Sequence, residues 1–266
     1  MAVQHEAPHA VEVAGRIGMV CYGVVHLVIG WLAVQVALGS GDQQTDQAGA
    51  VSAIAEQPLG KVLLVLLAAG LVAYALWQFF AAAQGYRWVS DRSKRLQKRV
   101  EAGAHGVVAV AIVIYAVRLM QGSGGQSGDQ QQQEFTAKLL DLPLGRLLVG
   151  LVALAVIALG VHRIHKGVSK NFLQDLDTAR LPAGTTRLTT RLGQIGYPAK
   201  GVAIGIIGLL LGLAAVNRDP NQAGGLDKAL HTLADQPFGT VLLVVVALGF
   251  VAYGAYCFVA ARSQRT

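Results

Sequence analysis

The chain has few charged residues, few aromatic residues and little cysteine. Only 14% of its residues are charged and 6% are aromatic, whereas 53% are hydrophobic. The two cysteines, Cys21 and Cys257, belong to no Cys-x-x-Cys or Cys/His spacing, which excludes the common zinc and redox motifs. No Ser/His/Asp arrangement, phosphate-binding loop or metalloprotease helix is present in the sequence. We therefore expect no enzyme activity and no cofactor.

The chain is instead rich in long apolar runs. They cover residues 17–38, 60–82, 103–120, 145–161, 196–216 and 239–260. About twenty apolar residues, rising 1.5 Å each, cross a hydrocarbon core of roughly 30 Å. Runs this long and without alternation are helices, because a segment in lipid must satisfy its own backbone polar groups. The sequence predicts an all-α membrane protein with six transmembrane helices.

The apolar runs belong to a unit that occurs three times. Segments 57–82 and 236–261 are identical at fifteen of 26 positions, and a weaker copy begins at Leu142. Each unit contains a glycine-rich helix, a polar loop with a short amphipathic run, an acid-x-Pro-[Leu/Phe]-Gly motif and a second helix. Two crossings per unit insert all three units the same way up, so a symmetry axis would run along the membrane normal. The predicted divisions are tail 1–14, unit 15–86, basic loop 87–99, unit 100–166, basic linker 167–192, unit 193–262 and tail 263–266.

The charged residues are divided unequally between the two sides of the membrane. Sixteen basic residues fall in or beside the tails and the two basic connections, and six fall on the other side. Loops rich in Lys and Arg stay in the cytoplasm, so both termini are predicted to be cytoplasmic. The net charge of +7 thus favours contact with the bilayer and its anionic lipid headgroups rather than with nucleic acid.

An acidic residue stands two positions before the repeated proline of each unit, as Glu56, Asp141 and Asp235. A proline and a carboxylate suit the first turn of a helix, so the main interpretation is helix capping. The alternative is a ring of three carboxylates that binds a cation or polyamine at the outer mouth. Both interpretations stand at this stage.

His26 is the deepest ionisable residue of the predicted spans, near the midpoint of the first helix. Ionisable residues within a membrane are costly to place there and are functional candidates by default. A neutral histidine bonded to a neighbouring helix, a proton-relay or ligand role, and a haem ligand are the alternatives. Gln35 is its companion as a candidate for a solute path.

Other polar residues are predicted to lie at the membrane–water interfaces. His105, His162 and His165 could hold a haem, but neighbouring Arg163 and Lys166 favour a snorkelling helix end. Two further cations, Arg118 and Lys200, are placed within about a turn of helix ends. The aromatic residues expected in an interfacial belt are Trp77, Tyr86, Trp88 and Tyr256.

The glycines of the first and fifth apolar helices are candidates for close helix packing. Small residues let membrane helices approach one another, and a groove for a sterol-like or acyl ligand is the alternative. The residues concerned are Gly23 and Gly30 in the first run and Gly201, Gly205, Gly208 and Gly212 in the fifth.

The repeated pattern resembles a bacterial membrane family, domain of unknown function 1206, over nearly the whole chain. The second unit departs from it by placing Leu159 where the others have Tyr74 and Tyr253. The resemblance implies an integral protein of the bacterial cytoplasmic membrane and no established activity. The motif residues are Gly18, Gly23, Val24, Pro58, Leu59 and Gly60 in the first unit, and Gly196, Tyr197, Gly201, Val202, Pro237, Phe238 and Gly239 in the third.

Two functions are compatible with these observations. The scarcity of polar residues in the spans and the abundance of glycine favour a non-enzymatic accessory, interaction or lipid-organising component, for which another membrane protein is a candidate partner. The alternative is a small pseudo-threefold carrier or channel for a hydrophobic or amphipathic solute.

Overall fold

The computed structural model describes residues 9–40, 44–87, 89–122, 127–177 and 184–263. These residues form helices joined by turns, which confirms the all-α fold. Six helices are long and apolar enough to span a membrane. The long helices are α1 (His9–Ala37), α3 (Gly60–Gln84), α4 (Arg92–Met120), α6 (Gly145–Val168), α7 (Thr185–Asn217) and α9 (Gly239–Ser263), and the short ones are α2 (Gln47–Ala55), α5 (Gly128–Leu140) and α8 (Leu226–Ala234).

Two long helices begin well before their apolar runs. Helix α4 begins at Arg92, so most of the segment predicted as a basic loop is helical. The carboxylate of Asp91 accepts from the backbone amides of Ser93 and Lys94 and caps this polar extension. Helix α7 likewise begins at Thr185, eleven residues before the predicted start of its apolar run at 196. Arg, Lys, Gln and Glu have good helix propensity and suit the extension of α4 beyond its apolar run, whereas the threonine-rich extension of α7 has weaker propensity.

The six long helices follow one another in the order α1, α3, α4, α6, α7 and α9, and α9 packs back against α1. Extensive backbone contact joins every neighbouring pair in this order except α4 and α6, along their described lengths. These two helices are the halves of the second unit. The bundle is therefore a ring with one splayed seam.

The same glycine position closes each contact between units. A Cβ on Gly23 of α1 would lie 2.9 Å from the carbonyl oxygen of Gly254 in α9. On Gly201 of α7 it would lie 2.7 Å from the carbonyl oxygen of Gly160 in α6, and Gly106 of α4 meets the Phe79 ring of α3 at 2.8 Å. Each first helix thus packs on the second helix of another unit. This repetition gives the ring its pseudo-threefold symmetry.

The other glycines of the proposed packing stripe differ in their surroundings. A Cβ on Gly30 would meet Val251 at 2.7 Å, and one on Gly208 would meet Ile157 at 2.7 Å. Gly212 has ordinary clearance, with its nearest neighbour at 3.9 Å. A Cβ on Gly205 would meet no atom within 4 Å. Close approach is therefore concentrated at a subset of the stripe.

A ring of three aspartates joins the short helices at one end of the bundle, which we call the capped end. Asp46 accepts from the backbone amides of Gly49, at 2.8 Å, and Gly128. Asp129 accepts from the amide of Gly225, at 2.5 Å. Asp227 completes the cycle by accepting from the amide of Thr45 at 2.6 Å. Each carboxylate thus reaches from its own unit to the next, so the hairpins also close around the axis here.

The Pro-[Leu/Phe]-Gly motif makes the same turn in all three units. Its middle residue has a left-handed backbone, with φ of 66° at Leu59, 65° at Leu144 and 61° at Phe238. The glycine amide that follows bonds back across the turn, as Gly60 does to the carbonyl of Gln57 at 2.8 Å. A Cβ on Gly60 would lie 1.9 Å from the carbonyl oxygen of Ala55, which only glycine avoids.

Candidate functional site

The three acids of the proline motif lie at the ends of the three short helices. Glu56, Asp141 and Asp235 are exposed and are the C-cap residues of the short helices α2, α5 and α8. Among the described residues, no three His, Cys, Asp or Glu side chains are placed to hold a metal ion. The acids therefore end the helix before the turn, while Gly60, Gly145 and Gly239 begin the helix after it.

His26 lies in the interior of the bundle, with 1% of its surface exposed. Its Nδ1 lies 2.9 Å from the carbonyl oxygen of Tyr22, and its Nε2 lies 3.0 Å from Nζ of Lys200. A carbonyl only accepts, so Nδ1 carries the proton and Nε2 accepts from the lysine. Gln35 is partly buried nine residues further along α1 and does not belong to this cluster.

The predicted snorkelling position of Lys200 is wrong. Helix α7 extends fifteen residues before Lys200, and its amine points into the bundle rather than toward a helix end. Nζ donates to the Tyr22 hydroxyl at 2.8 Å and lies 4.4 Å from the centre of the Tyr253 ring. Among the described residues, no carboxylate oxygen lies within 4.0 Å of it. Its amine is held by neutral hydroxyl, imidazole and aromatic groups.

Tyr22, His105 and Lys200 occupy equivalent positions in the three units. Each directly precedes the glycine that closes a contact between units. The rings of Tyr22 and His105 are 6.1 Å apart, and the hydroxyl of Tyr22 contacts Lys200. The symmetry of the ring therefore brings one polar residue from each unit toward the axis. We call these three residues the axial layer.

Gln78, Arg163 and Cys257 form an equivalent set on the second helices, counted from the glycine that begins each one. All three are buried. Gln78 donates to the hydroxyl of Tyr74 at 2.9 Å. The polar residues of the interior therefore follow the threefold repeat in position, although their identities differ between units.

A network of ion pairs bridges the splayed seam on the basic side of the axial layer. Glu101 of α4 lies 2.7 Å from Arg163 and 3.2 Å from Lys166, both on α6. Asp175, in the 3₁₀ turn Asn171–Asp175, pairs with Lys166 at 3.1 Å and also with Lys98. Where the backbones of α4 and α6 stand apart, long charged side chains join them. Arg163 and Lys166 are thus internal bridges, which corrects their predicted snorkelling role.

The three histidines assigned to the interface separate in the structure. His105 accepts at Nε2 from Arg163, at 3.0 Å, so it is part of the interior network. His162 contacts Gln97 across the seam at 3.3 Å. His165 is exposed.

A cavity lies between the axial layer and the basic end, which is the end where α3 leads into α4. Its volume is about 570 Å³ including its opening to solvent, of which about 50 Å³ is open to the centre of a water molecule. Six of the seven tyrosines line it. They are Tyr22, Tyr74, Tyr86, Tyr197, Tyr253 and Tyr256.

This grouping corrects the predicted aromatic belt. Tyr256 and Trp77 are each 4% exposed and lie inside the bundle, and Tyr86 lines the cavity. Trp88 lies outside the described residues. Burial, with Asp175 and Glu101 nearby, raises the pKa of Tyr86 above its ordinary value. Its phenol is therefore a neutral hydrogen-bond donor in the lining of the cavity.

The polar interior carries an excess of positive charge. Four cations (Lys98, Arg163, Lys166 and Lys200) face two carboxylates (Glu101 and Asp175). Removing ions from water costs several kcal/mol each unless partners compensate. The expectation that almost no polar residues line the spans is therefore wrong. Alignment of the units on Gly23, Gly106 and Gly201 is the signal that identifies the axial layer from sequence.

Comparison with known proteins agrees with the repeat architecture. The model of the Domain of Unknown Function (DUF1206) family matches three times, over residues 17–85, 100–170 and 195–264. The chain is 29% identical over 254 residues to an uncharacterized protein of Bacillus subtilis (strain 168), YxxB, covering 96% of this chain and 91% of the relative. No solved structure matches the chain. The chain belongs to the DUF1206 family of three-repeat proteins.

Proposed function

We propose that this protein binds small anionic solutes in its axial cavity and carries them across the membrane. The observation that carries the proposal is the amine of Lys200, which lies within the bundle and has no carboxylate partner in the part of the chain that the structure describes. An intramembrane cation is expensive, and such residues commonly mark a path for substrates or ions. An anionic solute would supply the missing counter-charge.

Lys200 does not line the cavity itself, but its contact partners Tyr22 and Tyr253 do, and the size of the cavity favours a small polar solute. The space open to the centre of a water molecule is about 50 Å³, enough for roughly three to five waters at 10–15 Å³ each. The lining tyrosines provide hydroxyl donors, which stabilise an anion without adding charge. The proposal therefore narrows the sequence-based carrier hypothesis from an amphipathic solute to a small anion. The accessory-subunit hypothesis stays a prediction, but its premise of apolar spans no longer supports it.

We further propose that the basic end faces the cytoplasm of a bacterial inner membrane. The unequal division of Lys and Arg supports this orientation, and the relative is a bacterial protein. In this orientation the cavity opens toward the cytoplasm, and the aspartate ring of the capped end closes the opposite side.

Transport currents in proteoliposomes on a solid-supported membrane test the proposal. Formate, acetate, chloride and phosphate are the probes, and Lys200→Met is compared with Lys138→Met, in which an exposed lysine of α5 is replaced. We expect a saturable current for at least one probe, reduced more than tenfold in Lys200→Met and unchanged in Lys138→Met. Absence of current for all four probes, or equal currents in the wild type and Lys200→Met, would contradict the proposal.

A further inference from the structure

We propose that Arg163 recognises the solute as an oxyanion, specifically a small carboxylate, and that the solute binds by replacing Glu101. This inference rests on the proposed function and adds the substrate class and the recognising side chain. It is carried by the hydrogen bonds that the guanidinium leaves unmade.

The guanidinium of Arg163 is deeply buried and incompletely paired. Its side chain is 5% exposed. Nη2 donates to Nε2 of His105 at 3.0 Å. Nη1 lies 2.7 Å from Oε1 of Glu101, but the direction does not make a hydrogen bond, and Nε has no acceptor among the described residues. An unsatisfied buried donor is costly, so the site is built for a partner that reaches it.

The shape of the unpaired group determines the chemistry of that partner. Arginine presents its N–H groups in parallel pairs, Nη1 with Nη2 at the tip and Nε with Nη2 along one edge, and two oxygens on one carbon match such a pair. Glu101 stands at the tip pair, so a carboxylate that replaces it there can bind Nη1 and Nη2 together. His105 and Glu101, which contact Arg163, both line the cavity. Arg163 itself lies behind these two side chains and not in the cavity wall. A small carboxylate that enters the cavity therefore reaches Arg163 only by taking the place that Glu101 now holds with imperfect geometry.

Glu101 is suited to yield this place because it has a second partner. Its two carboxylate oxygens lie 3.2 and 3.3 Å from Nζ of Lys166. When a solute takes Arg163, Glu101 keeps Lys166, so no buried carboxylate is left without a cation. The exchange preserves the pairing of every charge in the seam network.

Calorimetric titration of the purified protein with formate tests the exchange, because the two substitutions below should change the affinity for formate in opposite directions. Glu101→Gln removes the competing charge and is expected to tighten formate binding at least fivefold. Arg163→Lys keeps the charge but loses the fork, and is expected to weaken binding at least tenfold. In the double variant Glu101→Gln/Arg163→Lys, the gain from Glu101→Gln is expected to disappear.

Two matched variants separate recognition from general electrostatics and from folding. Asp175→Asn removes one negative charge from the cavity wall without touching Arg163, so a gain smaller than that of Glu101→Gln is expected. Arg146→Lys, an exposed position on the same helix, should bind formate like the wild type. Because Glu101→Gln is expected to improve binding, a loss of folding cannot imitate the result.

The outcomes distinguish this inference from the proposed function. If the wild type binds formate but Glu101→Gln leaves its affinity unchanged or lowers it, Arg163 is not the recognising group and the inference fails alone. The same holds if Asp175→Asn gains as much as Glu101→Gln. If the wild type binds neither formate nor any of the other probes, the proposed function is wrong, and the inference that rests on it is wrong as well.

Discussion

Two glycines of one helix, four residues apart, are expected to respond oppositely to the same substitution. Gly201 and Gly205 both lie on α7 and both belong to the small-residue stripe. A Cβ on Gly201 would lie 2.7 Å from the carbonyl oxygen of Gly160 and from Cγ1 of Ile164, and 2.9 Å from the amide nitrogen of Ile164. A Cβ on Gly205 would meet nothing within 4 Å.

The expected difference in unfolding free energy follows from these distances. Alanine in place of glycine favours a helix by about 1 kcal/mol in both variants. In Gly201→Ala the new methyl group meets backbone atoms, so α6 and α7 must separate, and such overpacking costs about 1–3 kcal/mol. The propensity gain cancels in the comparison. Gly205→Ala should therefore be more stable than Gly201→Ala by about 1–3 kcal/mol.

Equilibrium unfolding of both variants in mixed micelles measures this difference. Gly150→Ala on α6, whose Cβ also meets nothing within 4 Å, is the control for the propensity gain alone. Equal stabilities for Gly201→Ala and Gly205→Ala would refute the close approach of α6 and α7. A larger loss for Gly205→Ala would refute it as well.

Two further predictions concern the capped end and the seam. Burial, with Asp227 nearby, raises the pKa values of Asp46 and Asp129. As the pH falls, the folded state therefore takes up protons before the unfolded state does. The free energy of unfolding should accordingly rise as the pH falls through these raised pKa values. The free energy of unfolding, measured against pH, should show this rise in the wild type and not in the double variant Asp46→Asn/Asp129→Asn. An unchanged profile in the double variant would contradict the raised pKa values of these two aspartates. Spin labels at positions 97 and 162, on opposite sides of the seam, should report a longer or broader distance distribution in Glu101→Gln than in the parent, because one bridge across the seam is removed. Identical distributions would show that the ion pairs do not hold α4 to α6.

Much of the fold was predictable because the membrane imposes strong rules on sequence. The apolar run beginning at Gly60 had to be a helix, and the repeat in Pro58 and Pro237 required the same turn in two distant places. The helix extensions were not predicted, because the basic residues after Arg92 are as compatible with a surface loop as with a helix. The structure shows them as helical, capped by Asp91.

The polar interior was missed because each of its residues has an ordinary alternative when it is considered alone. Lys200 resembles a snorkelling residue if its helix is assumed to begin at 196, and Arg163 resembles part of a basic loop. Only the packing of one unit against another places these residues inside. Tyr22, His105 and Lys200 occupy one position of the repeat, so a comparison of units column by column would have revealed them.

The closure of the ring could not be derived from the sequence. Asp46, Asp129 and Asp227 lie in or beside polar loops where carboxylates are common, and their partners are backbone amides that any residue provides. The acids of the proline motif are recognisable as a set from the sequence because each stands two residues before the proline of its unit. The structure instead assigns the closing role to aspartates near the starts of the short helices.

Anomalous diffraction from crystals grown in iodide tests the central claim, that the three units close around a cavity which holds an anion. The account predicts an iodide peak on the pseudo-threefold axis, in contact with the amine of Lys200 or the guanidinium of Arg163 and with tyrosine hydroxyls of the cavity. It also predicts that this peak is absent from crystals of Lys200→Met/Arg163→Gln. Iodide peaks confined to the protein surface, with the axial cavity empty of anomalous signal, would contradict it.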